Sequence, residues 1–535
     1  MVAKRIRYRR AAAAVAAGAL PCLAFPAPAL WWFAYVALVP WMLLLRSAPT
    51  GRRAALEGWL GGAGFIIAVH HWLLPSLHVF LLPVAALVGL LWIPWALLVR
   101  EFLGGVPDPG RAAAALLLVP AGWLLSELAR SWQGLGGPWG LLGASQWQVP
   151  PALRLASVGG VWLVSLLVVA VNCALVLLIC VPAARVPAVA GVTGCVVLTG
   201  AVWLWVPRPE VSGTLRVAVV QPGLVADGPD SAEQRFAAGE GLTRTLAGQR
   251  VDLVVWGESS VGADLAERPD LARRLAALST EVGAPLLVNV DARRPAGPAE
   301  GPVTTPVAAA ATTAPGGGIY KSSVLVGPGG PTGDRYDKMR LVPFGEYIPA
   351  RSLLGWATSV GKAAGEDRRH GAEPVLMNLP GRPGVRIGPL VCFESAFPDM
   401  SRRLTRDGAA LLIAQSATSS FQHSWAPAQH ASLAALRAAE DGRPMVHATL
   451  TGISAVYGPS GERIGPALST SARAAQVYEV PLAGGSTYYV RFGDWPVGAC
   501  IALLAAYCAV EGLRTLRLRK PAPEPTTPPA RTARG

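Results

Sequence analysis

Long apolar runs alternate along this chain with one extended polar stretch. The runs cover residues 11–29, 30–45, 56–73, 77–98, 112–125, 158–180 and 186–206, and an eighth, 495–513, follows the polar stretch. Runs of about 20 apolar residues match the hydrocarbon thickness of a bilayer. The pattern therefore predicts an N-terminal membrane domain of seven helices (1–206), a polar domain (207–491), a closing membrane helix (492–513) and a tail (514–535). The tail is rich in Pro, Thr and Arg and is expected to be disordered. A leader peptide would share the basic start, but further spans follow at once, so a first membrane helix is expected.

Inside the polar stretch the period changes. Short runs rich in β-branched residues at 215–221, 252–256, 285–290, 319–326, 385–392 and 409–415 read as strands. Segments 232–246, 271–282 and 428–440 read as helices between some of them. Strands apolar on both faces argue a layered α/β domain. Residues 295–318, rich in Ala, Thr, Pro and Gly, read as a surface insertion.

Charge adds orientation. The formal net charge is +14. No basic stripe interleaved with aromatics accompanies it, so no nucleic-acid partner is expected. Arg46, Arg52, Arg53, Arg100, Arg111 and Arg185 instead fall in alternate loops, and Arg514, Arg517, Arg519 and Lys520 follow the last span. By the positive-inside rule both termini are cytoplasmic and the polar domain is exported across the plasma membrane. His70 and His71 then end the third span at its outer interface, and the Gly- and Trp-rich segment 126–146 is an outer loop.

Cysteine narrows the chemistry. Six of the seven cysteines lie in or beside apolar spans, and Cys392 alone falls in the polar stretch. No internal disulfide is available there, and no Cys/His spacing suits zinc, so no metal or other cofactor is expected. By itself Cys392 reads either as a small buried apolar residue or as a nucleophile. Glu258 closes the run VDLVVWGESS (251–260), and Lys338 and Glu346 lie in YDKMRLVPFGEYIP (336–349). Each has an ordinary reading, as a helix cap, a solvated lysine and a turn residue. A thiol, an acid and an amine on separate strand ends also suit nucleophilic acyl chemistry, because strand ends project side chains rigidly into a shared cleft.

The order Glu258, Lys338, Cys392 resembles the nitrilase, or carbon–nitrogen hydrolase, superfamily. The segments VVWGES, YDKMRLVPFGEYIP, VCFES, GGPWGLLGASQ (136–146), Gln429-His430 and RAAEDGR (437–443), with the multi-span start and closing span, resemble its membrane-embedded branch, the apolipoprotein N-acyltransferases. The resemblance implies a polytopic helical membrane domain joined to an exported α/β domain, a four-layer αββα sandwich. It implies Cys392 as nucleophile, Glu258 as general base and Lys338 at the oxyanion. Glu346 and Glu394 become supporting candidates, and Phe344, Phe393 and Trp425 candidate lining. The implied reaction moves a fatty acyl chain from a phospholipid, through a Cys thioester, to the N-terminal diacylglyceryl-cysteine of a lipoprotein. The expected partners are that donor, that acceptor and membrane lipids, and a monomer is expected. A membrane-tethered amidase with the same three residues is the alternative. Two residues depart from the family: Phe393 stands where Tyr is frequent, and Gln415 where Asn is common.

Overall fold

The computed structural model describes residues 2–224, 231–294, 318–355, 358 and 364–518, with side chains from residue 6 to residue 516. Most of the expected tail and most of the expected insertion lie outside the described residues; the first tail residues, 514–518, instead continue the closing helix, Trp495–Leu518.

Among the described residues, five helical stretches are long and apolar enough to cross a membrane: His71–Leu103, Pro109–Arg130, Pro150–Cys180, Pro182–Trp205 and Trp495–Leu516. The run expected over 77–98 is broken into short helical pieces, Leu74–Leu77, Leu81–Gly89 and Ile93–Leu103 among them. Pro75, Pro83 and Pro94 explain the breaks, since each removes a backbone donor. Gly51–Val69 is a single helix, held near its N-terminal end by Glu57, whose carboxylate takes Arg10 and Arg53 at 2.7 Å each. The first expected run begins as helix Val2–Ala19, and the second is a shorter apolar stretch, Trp31–Arg46.

The polar domain is built on twelve strands: β1 (Glu210–Gln221), β2 (Leu253–Trp256), β3 (Leu286–Arg294), β4 (Gly318–Gly327), β5 (Gly330–Asp337), β6 (Met377–Asn378), β7 (Arg386–Val391), β8 (Leu411–Ser416), β9 (Met445–Thr449), β10 (Ser454–Tyr457), β11 (Arg463–Leu468) and β12 (Ala474–Gly484). They form two six-stranded sheets, ordered β12-β1-β2-β3-β4-β5 and β11-β10-β9-β8-β7-β6. Strand alternation sorts the side chains by layer. Leu215, Val217 and Val219 face Ile387, Ile413 and Val446 between the sheets. Ala218 and Val220 face outward onto Phe236 and the helix Pro269–Val282. On the other side, Leu390, Leu412 and Met445 pack on helix Ala426–Asp441. That apolar layer runs on without interruption into the membrane helices through residues such as Leu153 and Trp139. One α layer of the αββα sandwich is thus fused to the membrane domain.

A break in the longest helix marks the junction. Within Pro150–Cys180, Gly159 and Gly160 leave helical geometry, Gly160 with φ +67°. A side chain at Gly160 would strike the Tyr489 ring, 2.6 Å away. The freed amide of Val161 donates to Glu440 Oε1 at 2.7 Å, so a carboxylate of the sandwich caps the lower half-helix.

Candidate active site

Three chain segments converge at one end of the facing sheets. β2 runs into Gly257-Glu258, where the backbones approach closely: a Cβ on Gly257 would lie 1.9 Å from the Leu450 nitrogen. Glu258 N–H donates across the gap to the Ser416 carbonyl at 3.1 Å. β7 ends at Val391, and Cys392 follows with φ +52°, a left-handed conformation for a non-glycine residue. Such strain persists only where surrounding structure enforces it. Lys338 immediately follows β5, its amide donating to the Lys321 carbonyl at 2.8 Å.

The side chains of Glu258, Lys338 and Cys392 meet. Lys338 Nζ donates to Glu346 Oε1 at 2.8 Å and lies 3.4 Å from Glu258 Oε1. The Cys392 thiol lies beside the Glu258 carboxylate, close enough for each to shift the other's ionisation. Glu258, Lys338 and Glu346 are buried, while Cys392 is half-buried. Burial alone would protonate Glu258, but Lys321 and Lys338 outweigh it and hold the carboxyl at about 2. Burial, then Glu258, push the Cys392 thiol above its ordinary value, and Lys338 offsets only part of that. At rest the proton is on sulfur and the carboxylate is charged. A thiol in contact with an ionised acceptor, beside a fixed ammonium, is equipped to add to a carbonyl carbon.

The supporting candidates separate. Glu346 joins the cluster through Lys338, and its second oxygen accepts from Val342 N at 2.8 Å. Glu394 instead accepts from Tyr336 Oη, Met339 N and Val391 N at 2.7 Å each and from Arg340 N at 3.1 Å. Both its oxygens are occupied in pinning the Lys338 loop to the end of β7. Phe344 lies two residues before Glu346 in a turn, at φ +63°. Phe393 stacks edge-on against Phe397 at 4.9 Å, under Gly137 of the membrane domain. Trp425 meets His71 edge-on at 4.5 Å.

Sequence patterning missed Lys321. It lies on β4, with Nζ 3.3 Å from Glu258 Oε1 and 3.4 Å from Asp291 Oδ1, and Ser259 Oγ accepts from it at 2.5 Å. A charged residue inside the otherwise apolar or small run of β4 was the available signal. His430 was noted only within a motif. Its Nε2 lies 3.0 Å from the Cys392 carbonyl and 3.0 Å from Ser395 Oγ. The preceding residue, Gln429, accepts through Oε1 from the indoles of Trp72 at 3.1 Å and Trp139 at 2.8 Å. The site therefore abuts the Trp72 and Trp139 segments that join the membrane helices.

Comparison with known proteins agrees with this architecture. Residues 17–174 match the apolipoprotein N-acyltransferase N-terminal domain, and residues 216–488 match the carbon-nitrogen hydrolase family. The chain is 32% identical to an apolipoprotein N-acyltransferase of Azotobacter vinelandii, over 96% of each chain. The chain belongs to the apolipoprotein N-acyltransferase family. An apolipoprotein N-acyltransferase of Geobacter metallireducens is 29% identical, over 93% of this chain and 94% of that one. A solved mutant of a nitrilase-superfamily amidase from Nesterenkonia AN1 has a TM-score of 0.34 and 18% identity, covering 55% of this chain and 98% of that one.

The two departures from the apolipoprotein N-acyltransferase pattern have structural readings. Gln415 reaches across the sheets, donating to the Trp256 carbonyl at 2.8 Å and the Leu287 carbonyl at 3.2 Å while accepting from Ser323 Oγ at 2.5 Å. It ties the strand bearing Glu258 to its neighbours. Phe393 contributes only ring packing. Among the described residues no group of His, Cys, Asp and Glu is arranged to hold a metal ion.

Proposed function

We propose that this enzyme acylates the N-terminal amine of a diacylglyceryl-cysteine lipoprotein with a fatty acyl chain taken from a phospholipid, and that Cys392, Glu258 and Lys338 carry the reaction. As sulfur attacks the ester carbonyl, its proton passes to the Glu258 carboxylate. The oxyanion that forms is met by the Lys338 ammonium, which Glu346 holds at 2.8 Å. The ester C–O bond breaks, Glu258 returns the proton to the glycerol oxygen, and a lysophospholipid leaves behind a Cys392 thioester. The lipoprotein amine then attacks the thioester, Glu258 takes the amine proton, the amide forms and the thiol is restored. The two half-reactions give ping-pong kinetics.

The observation that carries this reading is the link from Cys392 to the membrane domain. His430 touches the Cys392 carbonyl, and its neighbour Gln429 bonds Trp72 and Trp139 of the membrane half. A thiol at that level is within reach of acyl chains, which a water-soluble amide substrate does not require. The alternation of basic loops supports cytoplasmic termini and a catalytic domain on the outer face of the plasma membrane.

The test is intact-mass analysis of the full-length protein with phospholipid and no acceptor. A hydroxylamine-sensitive adduct of fatty-acyl mass is expected on the wild type and not on Cys392→Ser, and a diacylglyceryl peptide should discharge it as an amide. Discharge to water at the same rate without the peptide would instead indicate a hydrolase.

A further inference from the structure

One cavity lies away from Cys392. It has a volume of about 600 Å³, and its wall includes Trp147, Arg154, Trp203, Arg208, Tyr457 and Arg463. These residues come from the start of helix Pro150–Cys180 and the residues just before it, the end of helix Arg185–Trp205 and the residues just after it, and the β10–β11 hairpin. Ala439 also lines it, near the far end of helix Ala426–Asp441, whose opposite end carries Trp425 and His430 at the active site. At 1.5 Å per residue the two ends of that helix are roughly 20 Å apart. The cavity is a separate place on the molecule.

Its chemistry is one-sided. No ion pair is made by Arg154, Arg208 or Arg463 among the described residues, and Glu462 is the one acidic residue in the wall. Arg208 lies over the Trp203 ring at 5.2 Å. Arg154 is 7% exposed, donates through Nη2 to the Val206 carbonyl, and leaves Nε without a partner. A buried guanidinium with an unused donor is costly unless an anion completes it. Below the cavity, Leu204 and Trp205 are 72% and 77% exposed, and only 11% of the helix's apolar window is buried within the protein. A cationic pocket thus opens directly onto a lipid-facing helix at the level where that helix leaves the bilayer.

We propose that this cavity binds the phosphodiester headgroup of a membrane phospholipid, with Arg154, Arg208 and Arg463 around the phosphate and the acyl chains along helix Arg185–Trp205. Arginine suits the role, because its planar fork pairs with phosphate oxygens. The bound lipid is distinct from the acyl donor and anchors the sandwich to the membrane surface. The site does not rest on the reaction proposed above.

The test uses the full-length protein carrying Cys392→Ala, so that no lipid is consumed, in liposomes containing phosphatidylglycerol with a photoreactive acyl chain. After irradiation, cross-linked peptides are mapped by mass spectrometry. Labelling within helix Arg185–Trp205 is expected, and Arg208→Gln with Arg463→Gln should lower it. Each lost charge-assisted contact weakens binding by roughly tenfold. Both arginines are exposed, so the double variant keeps its fold, and labelling near Trp425 serves as the internal reference. Equal labelling of this helix in the double variant overturns the proposal. Labelling abolished by millimolar inorganic phosphate would show a site for free phosphate instead, and would equally overturn the lipid assignment.

Discussion

Lys321 Nζ stands 3.3 Å from Glu258 Oε1, as close to that carboxylate as Lys338. Glu258 is therefore gripped by two ammonium groups, one from β4 and one from the loop after β5. After burial, Lys321 exerts the largest pull on its ionisation. Lys321→Met should raise the Glu258 pKa, so the acidic limb of the kcat/KM profile moves to higher pH. At neutral pH the loss should be about tenfold, since the carboxylate loses a contact that positions it as the proton acceptor. An unchanged acidic limb would show that Lys321 leaves the base untouched.

Glu346 and Glu394 should fail in different ways. Glu346→Gln weakens the 2.8 Å hold on Lys338 and is expected to lower kcat by about tenfold, with KM and thermal stability nearly constant. Glu394→Ala orphans Tyr336 and the amides of Met339, Arg340 and Val391. Each buried orphan costs about 1–3 kcal/mol, so this variant should show a large fall in Tm before any kinetic measurement is made.

Asp441 gives the fold a pH dependence of its own. Burial, then the neighbouring Glu440, raise its carboxyl from 3.8 to about 8. Because the folded value is raised, the stability it contributes is fully present below 3.8 and lost progressively as pH rises to about 8. Asp441→Asn should flatten that decline in thermal melts, raising Tm at alkaline pH by roughly 2–4 °C for each kcal/mol recovered. Glu440, raised by burial to about 7, leaves a residual slope.

Gln429→Leu removes the acceptor shared by Trp72 and Trp139. Two indole N–H groups are left unpaired at a buried seam, at about 1–3 kcal/mol each. Lower thermal stability and lower acyl transfer are expected together, while Gln429→Glu, which keeps an acceptor, should restore most of both.

What the sequence made legible followed the apolar pattern. The runs at 252–256 and 385–392 became the strand ends that present Glu258 and Cys392, because a strand buried on both faces has little choice of residue. β5 (GPTGDRYD) and β12 (AAQVYEVPLAG) stayed hidden. β5 is a polar edge strand, and β12 is largely half-exposed, so pairing with β4 and β1 defines them rather than hydrophobicity. Lys321 escaped for a related reason: strand register aims it at Glu258, and register belongs to tertiary structure. The membrane helices were visible in outline, but the prolines that segment 71–103 act locally within a run whose hydropathy never falters.

The hydrogen bond from Val161 to Glu440 bears on how this protein can be divided. A broken helix in lipid has no water to satisfy its freed amide, and here the acceptor belongs to the sandwich. The sandwich thus completes the backbone of the membrane half. Cutting the chain at residue 206 would leave an orphaned donor in one product and, in the other, a buried Glu440 carboxylate that keeps Arg437 but loses this donor. The boundary visible along the sequence is thus not a line along which this enzyme comes apart.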